Sequence, residues 1–255
     1  MERYRKVLEI VKKNGEFLKK EVKRKEVLKI SRNDIKLVQD IESERNFINF
    51  IEKNFPDDGW ITEESGEKKS SSGYTWIIDP LDGTVNYSKG IPHCAISVAC
   101  IGREEKFGIV YDFFRKELFT GIDGQGAFLN GEKIKVSSVE KLEDVIMSAG
   151  FWKGEKEIET GFKIFMEFSK KVKKIRMMGS ASLEICYVAC GRFDMFIEFG
   201  LHIWDIAAGK IILEQAGGSL ISERINGTEV FIGSIFGATL LTFFPEIFRF
   251  ASKER

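Results

Sequence analysis

The sequence predicts an α+β first half joined to an α/β second half, within 255 residues. Three observations carry that expectation. Two amphipathic helical patterns occupy the stretch up to Asn54. From Trp76 to Val136 the chain breaks into short strand-like runs separated by Gly and charge. From Val145 onward, strand and helix patterns alternate, as they do where helices cross over a sheet. A soft boundary near residue 140 therefore divides residues 1–140, an α+β unit built on a large antiparallel sheet, from residues 141–255, an α/β unit that completes the site. No internal repeat is visible.

Each element has a local reason. Residues 3–20 place Tyr4, Val7, Leu8, Val11 and Leu18 at helical spacing. A short extended piece, Val27–Ile30, follows. Asn33 or Asp34 can cap a second helix that runs to about Asn54 with Ile41, Phe47, Ile48 and Ile51 on its apolar side, and Pro56 stops it. Trp60–Thr62 is a short strand, and Glu67–Gly73 reads as a polar loop. Trp76–Asp79, Ala95–Ile101, Phe107–Asp112 and Glu117–Gly121 are strands. Asp123–Gly126 is a turn, Asn130-Gly131 is a hairpin signal, and Lys133–Val136 continues the sheet. The second half reads as strand Val145–Ala149, helix Glu157–Val172, strand Ile175–Met178, helix Ser182–Cys190, strand Met195–Glu198, and helix Asp205–Glu214 ended by Gly217-Gly218. Strands Ser219–Ser222 and Val230–Ile232 close the pattern.

Composition excludes several classes. There are 39 basic and 39 acidic side chains, so no global field draws the chain to nucleic acid or membrane. Residues 1–30 are locally basic, 11 Lys/Arg against 5 Glu, which reads as the wet face of the first helix. No apolar run reaches membrane-spanning length, and the charged start MERYRKVLEI lacks a signal-peptide core; the expectation is a cytoplasmic protein. Cys94, Cys100, Cys186 and Cys190 form no disulfide framework there and read as small core residues.

The segment Trp76–Tyr87, WIIDPLDGTVNY, carries the chemistry. Three apolar residues run into Asp79, and Asp82 follows three positions later. Pro80 stiffens the turn between them, so both carboxylates can face one point. Gly83 allows close backbone approach, and the N–H groups of Gly83 and Thr84 open a helix where phosphate oxygens are favoured. Two more acidic clusters sit at strand or loop ends: Glu63-Glu64, and Asp205 within Trp204–Gly209. Oxygen-only ligation without Cys or His fits Mg²⁺, and two such ions can hydrolyse a phosphoester.

WIIDPLDGTVNY together with HIWDIAAGKIILEQAGG resembles the inositol monophosphatase family of Mg²⁺-dependent, lithium-sensitive phosphatases, from about Asp34 to Gly218. The resemblance implies a layered αβαβα sandwich of the sugar-phosphatase type. It implies two or three Mg²⁺ ions, a small sugar or inositol phosphate as substrate, and a homodimer without nucleic-acid or membrane partners. By motif, Glu63 resembles a metal ligand, Asp79 would bridge two ions, the Leu81 carbonyl would complete one of them, and Asp82 with Asp205 would hold the second. Thr84 would hold the attacking water and Asp34 would support it, so Asp34, Thr84 and Glu63 form the implied catalytic group. Gly83 and Thr84 would cradle the phosphate. Glu198 matches an acid that accepts hydrogen bonds from sugar hydroxyls, Gly179, Ser180 and Ala181 match the loop lining the same pocket, and Arg176 precedes that loop.

The implied activity is a phosphomonoesterase for inositol monophosphate, with fructose 1,6-bisphosphate as a second candidate substrate, in which a metal-activated water attacks phosphorus in line. Two alternatives stay open. One is another small-molecule phosphatase of this scaffold, for a nucleotide 3′-phosphate or histidinol phosphate. The other is a regulatory member without turnover. Two departures from the family pattern stand out. Leu37 replaces a usual Thr in Asp34–Asp40, and FIGSIFGATLLTFFPEIF lacks the usual Asn-containing strand end. Among the remaining candidates, Glu64 reads as a supporting or solvent-facing acid, Asp40 as a helix charge, and His93 and His202 as structural. Arg176 suits a structural ion pair as well as a second substrate phosphate.

Overall fold

Alternation along one strand decides where the helices must lie. In the computed structural model, which describes residues 1–30, 35–151, 155–225 and 228–234, Trp76 and Ile78 point to one face of the sheet and Ile77 to the other, and all three are buried. A strand buried on both faces needs cover on both.

The first half runs α1 (Glu2–Glu21), β1 (Val27–Ile30), β2 (Ile35–Leu37), α2 (Val38–Asn54), β3 (Gly59–Thr62), β4 (Gly66–Lys68) and β5 (Thr75–Asp82). Then come α3 (Thr84–Lys89), β6 (Ala95–Ile101), β7 (Lys106–Asp112), β8 (Glu117–Ile122), β9 (Gly126–Leu129) and β10 (Glu132–Ile134). The second half runs β11 (Ile146–Gly150), α4 (Glu155–Ser169), β12 (Lys174–Arg176), α5 (Ala181–Ala189), β13 (Met195–Phe199), α6 (Ile203–Gln215), β14 (Ser219–Ile225) and β15 (Thr228–Ser234). Strands β3–β10 form one eight-stranded sheet, ordered β10-β9-β8-β7-β6-β5-β3-β4, and β11–β15 form a five-stranded sheet, ordered β12-β11-β13-β15-β14. All pairs of the large sheet are antiparallel except β3 with β5.

Three buried clusters define five layers. Val7, Val11, Phe47 and Ile51 of α1 and α2 pack on Trp76, Ile78 and Phe107. Ile77, Val110 and Phe119, on the opposite face, meet Leu183, Ile185, Ile211 and Ile212 of α5 and α6, which also cover Phe196 and Phe231 of the smaller sheet. Ile164 and Phe168 of α4 close the far side against Met147, Ile197 and Ile232. The order is helices, sheet, helices, sheet, helix: the expected αβαβα sandwich.

Helix α6 lies flat because the sheet beneath it is bare. A Cβ added at Gly108 would stand 2.4 Å from the Ala208 carbonyl oxygen, and one at Gly121 would stand 2.6 Å from Ile212 Cα. These two glycines are the groove in which α6 sits.

Several boundaries differ from the sequence expectation. Ile35–Leu37 is a strand, not the first turn of a helix, because it pairs with β1; α2 starts at Val38, and the Leu37 N–H is taken by Asp40 Oδ2 at 2.8 Å. The expected caps Asn33 and Asp34 lie outside the described residues. Glu67 and Lys68, expected to open a loop, belong instead to an edge strand, Gly66–Lys68, paired with β3. Asn130 and Gly131 do form the hairpin turn, both at positive φ, 51° and 88°. Among the described residues no helix is long and apolar enough to cross a membrane.

Candidate metal and phosphate site

Two acids three positions apart on a regular strand would face opposite sides of the sheet. In β5, Asp79 pairs with Ser97 and Asp82 with Ala95. Three steps along β5 thus match two steps along β6. The extra residue is a β-bulge at Pro80-Leu81, and it turns Asp82 back to the face of Asp79, toward α5 and α6. Leu81 stays buried on the other side with α1 and α2. The stiff turn expected from Pro80 is therefore a bulge inside one strand, and β5 continues through both acids.

Asp205 arrives on the same face from the first turn of α6. The Ser97 hydroxyl donates to the Trp204 carbonyl at 3.3 Å, fixing this helix end over β6. Asp205 Oδ2 accepts the His202 N–H at 2.6 Å, an acid reaching back to its own helix start. Glu63 lies at the end of β3, exposed, in a loop gripped from behind. Glu44 Oε2 accepts the Glu64 N–H at 2.9 Å, Glu44 Oε1 accepts the Ser65 hydroxyl, and Lys36 forms an ion pair with Glu64.

Gly83 stands at φ 86°, with the His93 and Gly179 carbonyls 3.0 and 3.1 Å from where a Cβ would be. The following helix α3 is short. The Thr84 hydroxyl donates to the Leu81 carbonyl at 2.9 Å, which commits its proton and leaves its lone pairs as acceptors. Asn86 Nδ2 donates to His93 O at 2.9 Å, Met178 O at 2.8 Å and Gly179 O at 3.2 Å. It ties the start of α3 to the Gly179 loop.

That loop is anchored a second time. Asp82 Oδ2 accepts the Ser180 hydroxyl at 2.6 Å, the Ser182 N–H at 2.9 Å and the Ser182 hydroxyl. Glu184 Oε1 accepts the Gly179 N–H at 2.8 Å and the Ser180 N–H at 3.3 Å. Glu198 stands on β13 opposite Gly150 of β11, where a Cβ would come within 2.3 Å of its carboxyl carbon. Glycine at 150 is what leaves room for this carboxylate.

The electrostatics describe one acidic pocket. Burial holds the Asp79 carboxyl well above its usual range, and Asp82, Asp205 and Glu63 push it further. Burial raises Asp82 against the hydrogen bonds from Ser180 and Ser182. Burial lifts Asp205 to about 8 against the His202 N–H, with Asp82 and Glu63 adding to it. Glu184 is pushed up to about 7 by burial, against the Ser180 and Gly179 N–H groups, and Glu198 rises by burial and the fields of Glu184, Asp82 and Asp205. The charges acting most on Asp79 are all negative. Such a group of like charges around a buried carboxylate suits a small, hard divalent cation. Among the described residues no three acidic, histidine or cysteine side chains are grouped so as to hold a metal ion. The acids are turned onto protein donors, Asp79 Oδ1 onto the Leu81 N–H at 3.0 Å among them. The fit to Mg²⁺ is thus one of charge, burial and donor type.

The expected residues divide as follows. Glu63, Asp79, Asp82, Asp205 and Glu198 share one field; Leu81, Gly83 and Thr84 flank Asp82 in the chain, and the loop Gly179, Ser180 and Ala181 reaches Asp82 through the Ser180 hydroxyl. Asp34 lies outside the described residues, as does the C-terminal segment from residue 235. Arg176 is exposed, its guanidinium donating to the carbonyl of Ile175 at 3.0 Å. Asp40, expected as a plain helix charge, is buried and caps α2. His202 stacks on Trp204, His93 is buried with its ring edge-on to Tyr187, and the four cysteines are free. Sequence reasoning missed Glu184, Ser182, Asn86, Ser43 and Glu44. Asn86 lay inside WIIDPLDGTVNY, and Ser182 and Glu184 inside GSASLEICYVACGRFDMF, a stretch that also resembles the family, but none was given a role.

Comparison with known proteins completes the picture. A model of the inositol monophosphatase family matches residues 1–235. Nus factor SuhB of Pasteurella multocida is 40% identical over 214 residues, covering 81% of this chain and 80% of its own. The solved extragenic suppressor protein suhB from Bartonella henselae superposes with a TM-score of 0.87 at 29% identity, over 100% of both chains. An IMPase of Thermotoga maritima superposes with a TM-score of 0.84 at 32% identity, over 98% of this chain and 97% of its own.

Proposed function

Because the chain belongs to the inositol monophosphatase family, we propose that it is a Mg²⁺-dependent phosphomonoesterase for small polyol phosphates. Inositol monophosphate is the first candidate substrate and fructose 1,6-bisphosphate the second. The observation that carries this reading is the burial of Asp79 where the charges acting most on it are those of Asp82, Asp205 and Glu63, all negative. Glu63, Asp79, Asp82, Asp205 and the Leu81 carbonyl would hold the ions. When bound, Mg²⁺ supplies a water of lowered pKa and neutralises charge on the phosphoryl and leaving oxygens.

The remaining work falls to the chain. Thr84 Oγ1, its proton committed to Leu81 O, accepts a hydrogen bond from the attacking water and so orients it. The acid behind that water is Asp34 by motif. The N–H groups of Gly83 and Thr84 bind phosphate oxygens, and the positive φ of Gly83 aims them. Glu198 accepts hydrogen bonds from substrate hydroxyls, which favours a polyol, and Glu184, buried, holds the Gly179 and Ser180 N–H groups of the loop beside it. We read the protein as a cytoplasmic homodimer.

A second reading, a regulatory role without turnover, is favoured by the designation of relatives as Nus factors and by the full engagement of Asp82 Oδ2 by Ser180 and Ser182. Phosphate release from a panel of sugar, inositol, nucleotide and histidinol phosphates separates the two. The enzyme reading requires release that depends on Mg²⁺, is lost in EDTA and is inhibited by Li⁺. Asp79→Asn should reduce release to background while the fold persists, since it removes a buried charge without changing shape. Turnover without metal, or a near-normal rate in Asp79→Asn, would overturn the assignment.

A further inference from the structure

Two neighbouring residues on α2, Ser43 and Glu44, reach for different loops. Both are fully buried, 0% and 1% exposed. Ser43 Oγ donates to the Pro80 carbonyl at 3.1 Å, inside the bulge between Asp79 and Asp82. Glu44 uses both carboxylate oxygens on the other loop, accepting the Glu64 N–H at 2.9 Å and the Ser65 hydroxyl. One turn of one helix therefore holds the Asp79–Asp82 bulge and the Glu63 loop together.

The helix is itself held at this turn. Asn14 Nδ2, from α1, donates to the Ser43 carbonyl at 3.0 Å, and Asn46 Nδ2 donates to Asn14 Oδ1 at 2.8 Å. Asp40 Oδ2 closes the start of α2. From the outer side Lys36 pairs with Glu64 and also lies in the fields of Glu63 and Glu44. A buried carboxylate is tolerated only where donors satisfy it, and the donors of Glu44 are the two groups that shape the Glu63 loop.

We propose that Ser43 and Glu44 are positioning residues that set the separation between Glu63 and the Asp79–Asp82 pair, and through it the affinity for divalent cations. This rests on the cation site proposed above. Residues that orient ligands from behind typically change metal affinity by about 10- to 100-fold when altered. Ser43→Ala deletes the hold on the bulge. Glu44→Gln keeps the shape but turns an amide N–H toward one of its two donors.

The experiment is calorimetric titration of Mg²⁺, and separately Mn²⁺, into the metal-free full chain, with no substrate present. It is paired with the melting temperature of each metal-free variant and the Mg²⁺ dependence of phosphate release. The expected result is a weakening of divalent-cation affinity by about tenfold in each variant, with excess Mg²⁺ restoring kcat in Ser43→Ala. Should Glu44→Gln not fold, Ser43→Ala carries the test alone. Wild-type affinity in a variant whose metal-free melting temperature has fallen would show a merely structural role and overturn the proposal. If the wild-type chain itself bound neither cation, the cation site would be refuted, and this proposal with it.

Discussion

His93 should make this protein acid-labile in a defined window. Its side chain is 3% exposed, and among the described residues neither ring nitrogen has a hydrogen-bond partner. The ring meets Tyr187 edge-on at 5.8 Å. Burial is the main reason its pKa falls from 6.5 to about 4; Arg115 lowers it further, and Asp112 opposes. Arg115 is fixed there by Asp112 Oδ2 at 2.8 Å and the Pro92 carbonyl at 2.6 Å. The sign follows from linkage. Between pH 6.5 and about 4 the unfolded chain binds a proton that the folded chain refuses, so stability falls as pH falls and is unaffected above that range. A shift of about 2.5 units, at 1.36 kcal/mol per unit, gives a loss of about 3 kcal/mol. For a chain of this size that is about 6–12 °C in Tm. His93→Phe keeps an aromatic ring in the slot and removes the proton site. Urea unfolding of both proteins, followed by tryptophan fluorescence from pH 4 to 8, should give stability curves that run parallel above pH 6.5. Below it they should diverge, with the variant losing less. Curves parallel over the whole range would refute the reasoning.

Other expectations rest on close contacts and on linkage. Gly83→Ala forces a side chain to a φ of 86° with carbonyls at 3.0 and 3.1 Å. It should cost about 1–3 kcal/mol and weaken competitive inhibition by inorganic phosphate, read by thermal melting and steady-state kinetics. Gly108→Ala places a methyl 2.4 Å from the Ala208 carbonyl. Lifting α6 should cost about 1–3 kcal/mol and, because Asp205 moves with the helix, raise the Mg²⁺ concentration needed for half-maximal phosphate release. Mg²⁺ at a hundredfold excess over its Kd should stabilise the folded chain by about 2.7 kcal/mol, or about 5–10 °C in Tm. EDTA should reverse this, and Asp79→Asn should abolish it.

The layers were legible because their periodicities are local. Trp76, Ile77 and Ile78 announce a strand covered on both faces, and Val7, Val11 and Leu18 a helix with one dry side. Asn130-Gly131 sets its own turn. The acids Glu63, Asp79, Asp82 and Asp205 were legible for a different reason: each stands where an apolar run stops, and carboxylates there need a purpose. What could not be read depends on contacts between distant segments. Asp40 looks like a solvated first-turn acid, but Ile35–Leu37 pairs with β1 instead of entering the helix, so α2 starts at Val38 and Asp40 becomes its buried cap, taking the Leu37 N–H. Glu184 sits in ASLEICYVA like any helix charge, yet α5 is covered by both sheets, so the carboxylate must find donors and takes those of Gly179 and Ser180. Ser43 and Glu44 look like the polar flank of α2 until the loops they hold are in place. Arg176 is a separate case. It holds the expected position in the chain, but its guanidinium lies in solvent.

Why acids so far apart in the chain feel one another's charge comes down to one inserted residue. Without the bulge, Asp82 would face α1 and α2 and be sealed in their apolar layer, and Leu81 would point into the acidic pocket. With it, Asp82 faces the α5 start and takes three donors from Ser180 and Ser182. The same register shift that pairs Asp82 with Ala95 leaves Ser97 opposite Asp79, and Ser97 in turn holds the Trp204 carbonyl and the start of α6. Strand β5 thus fixes α5 through one acid, and β6 fixes α6 through the residue opposite the other acid. Both helices are pinned at their N-terminal ends, next to the carboxylates that the fold has forced together. The bulge that creates the pocket therefore also creates the joint between the two sheets, so stability and the proposed cation chemistry are not independent properties of this chain.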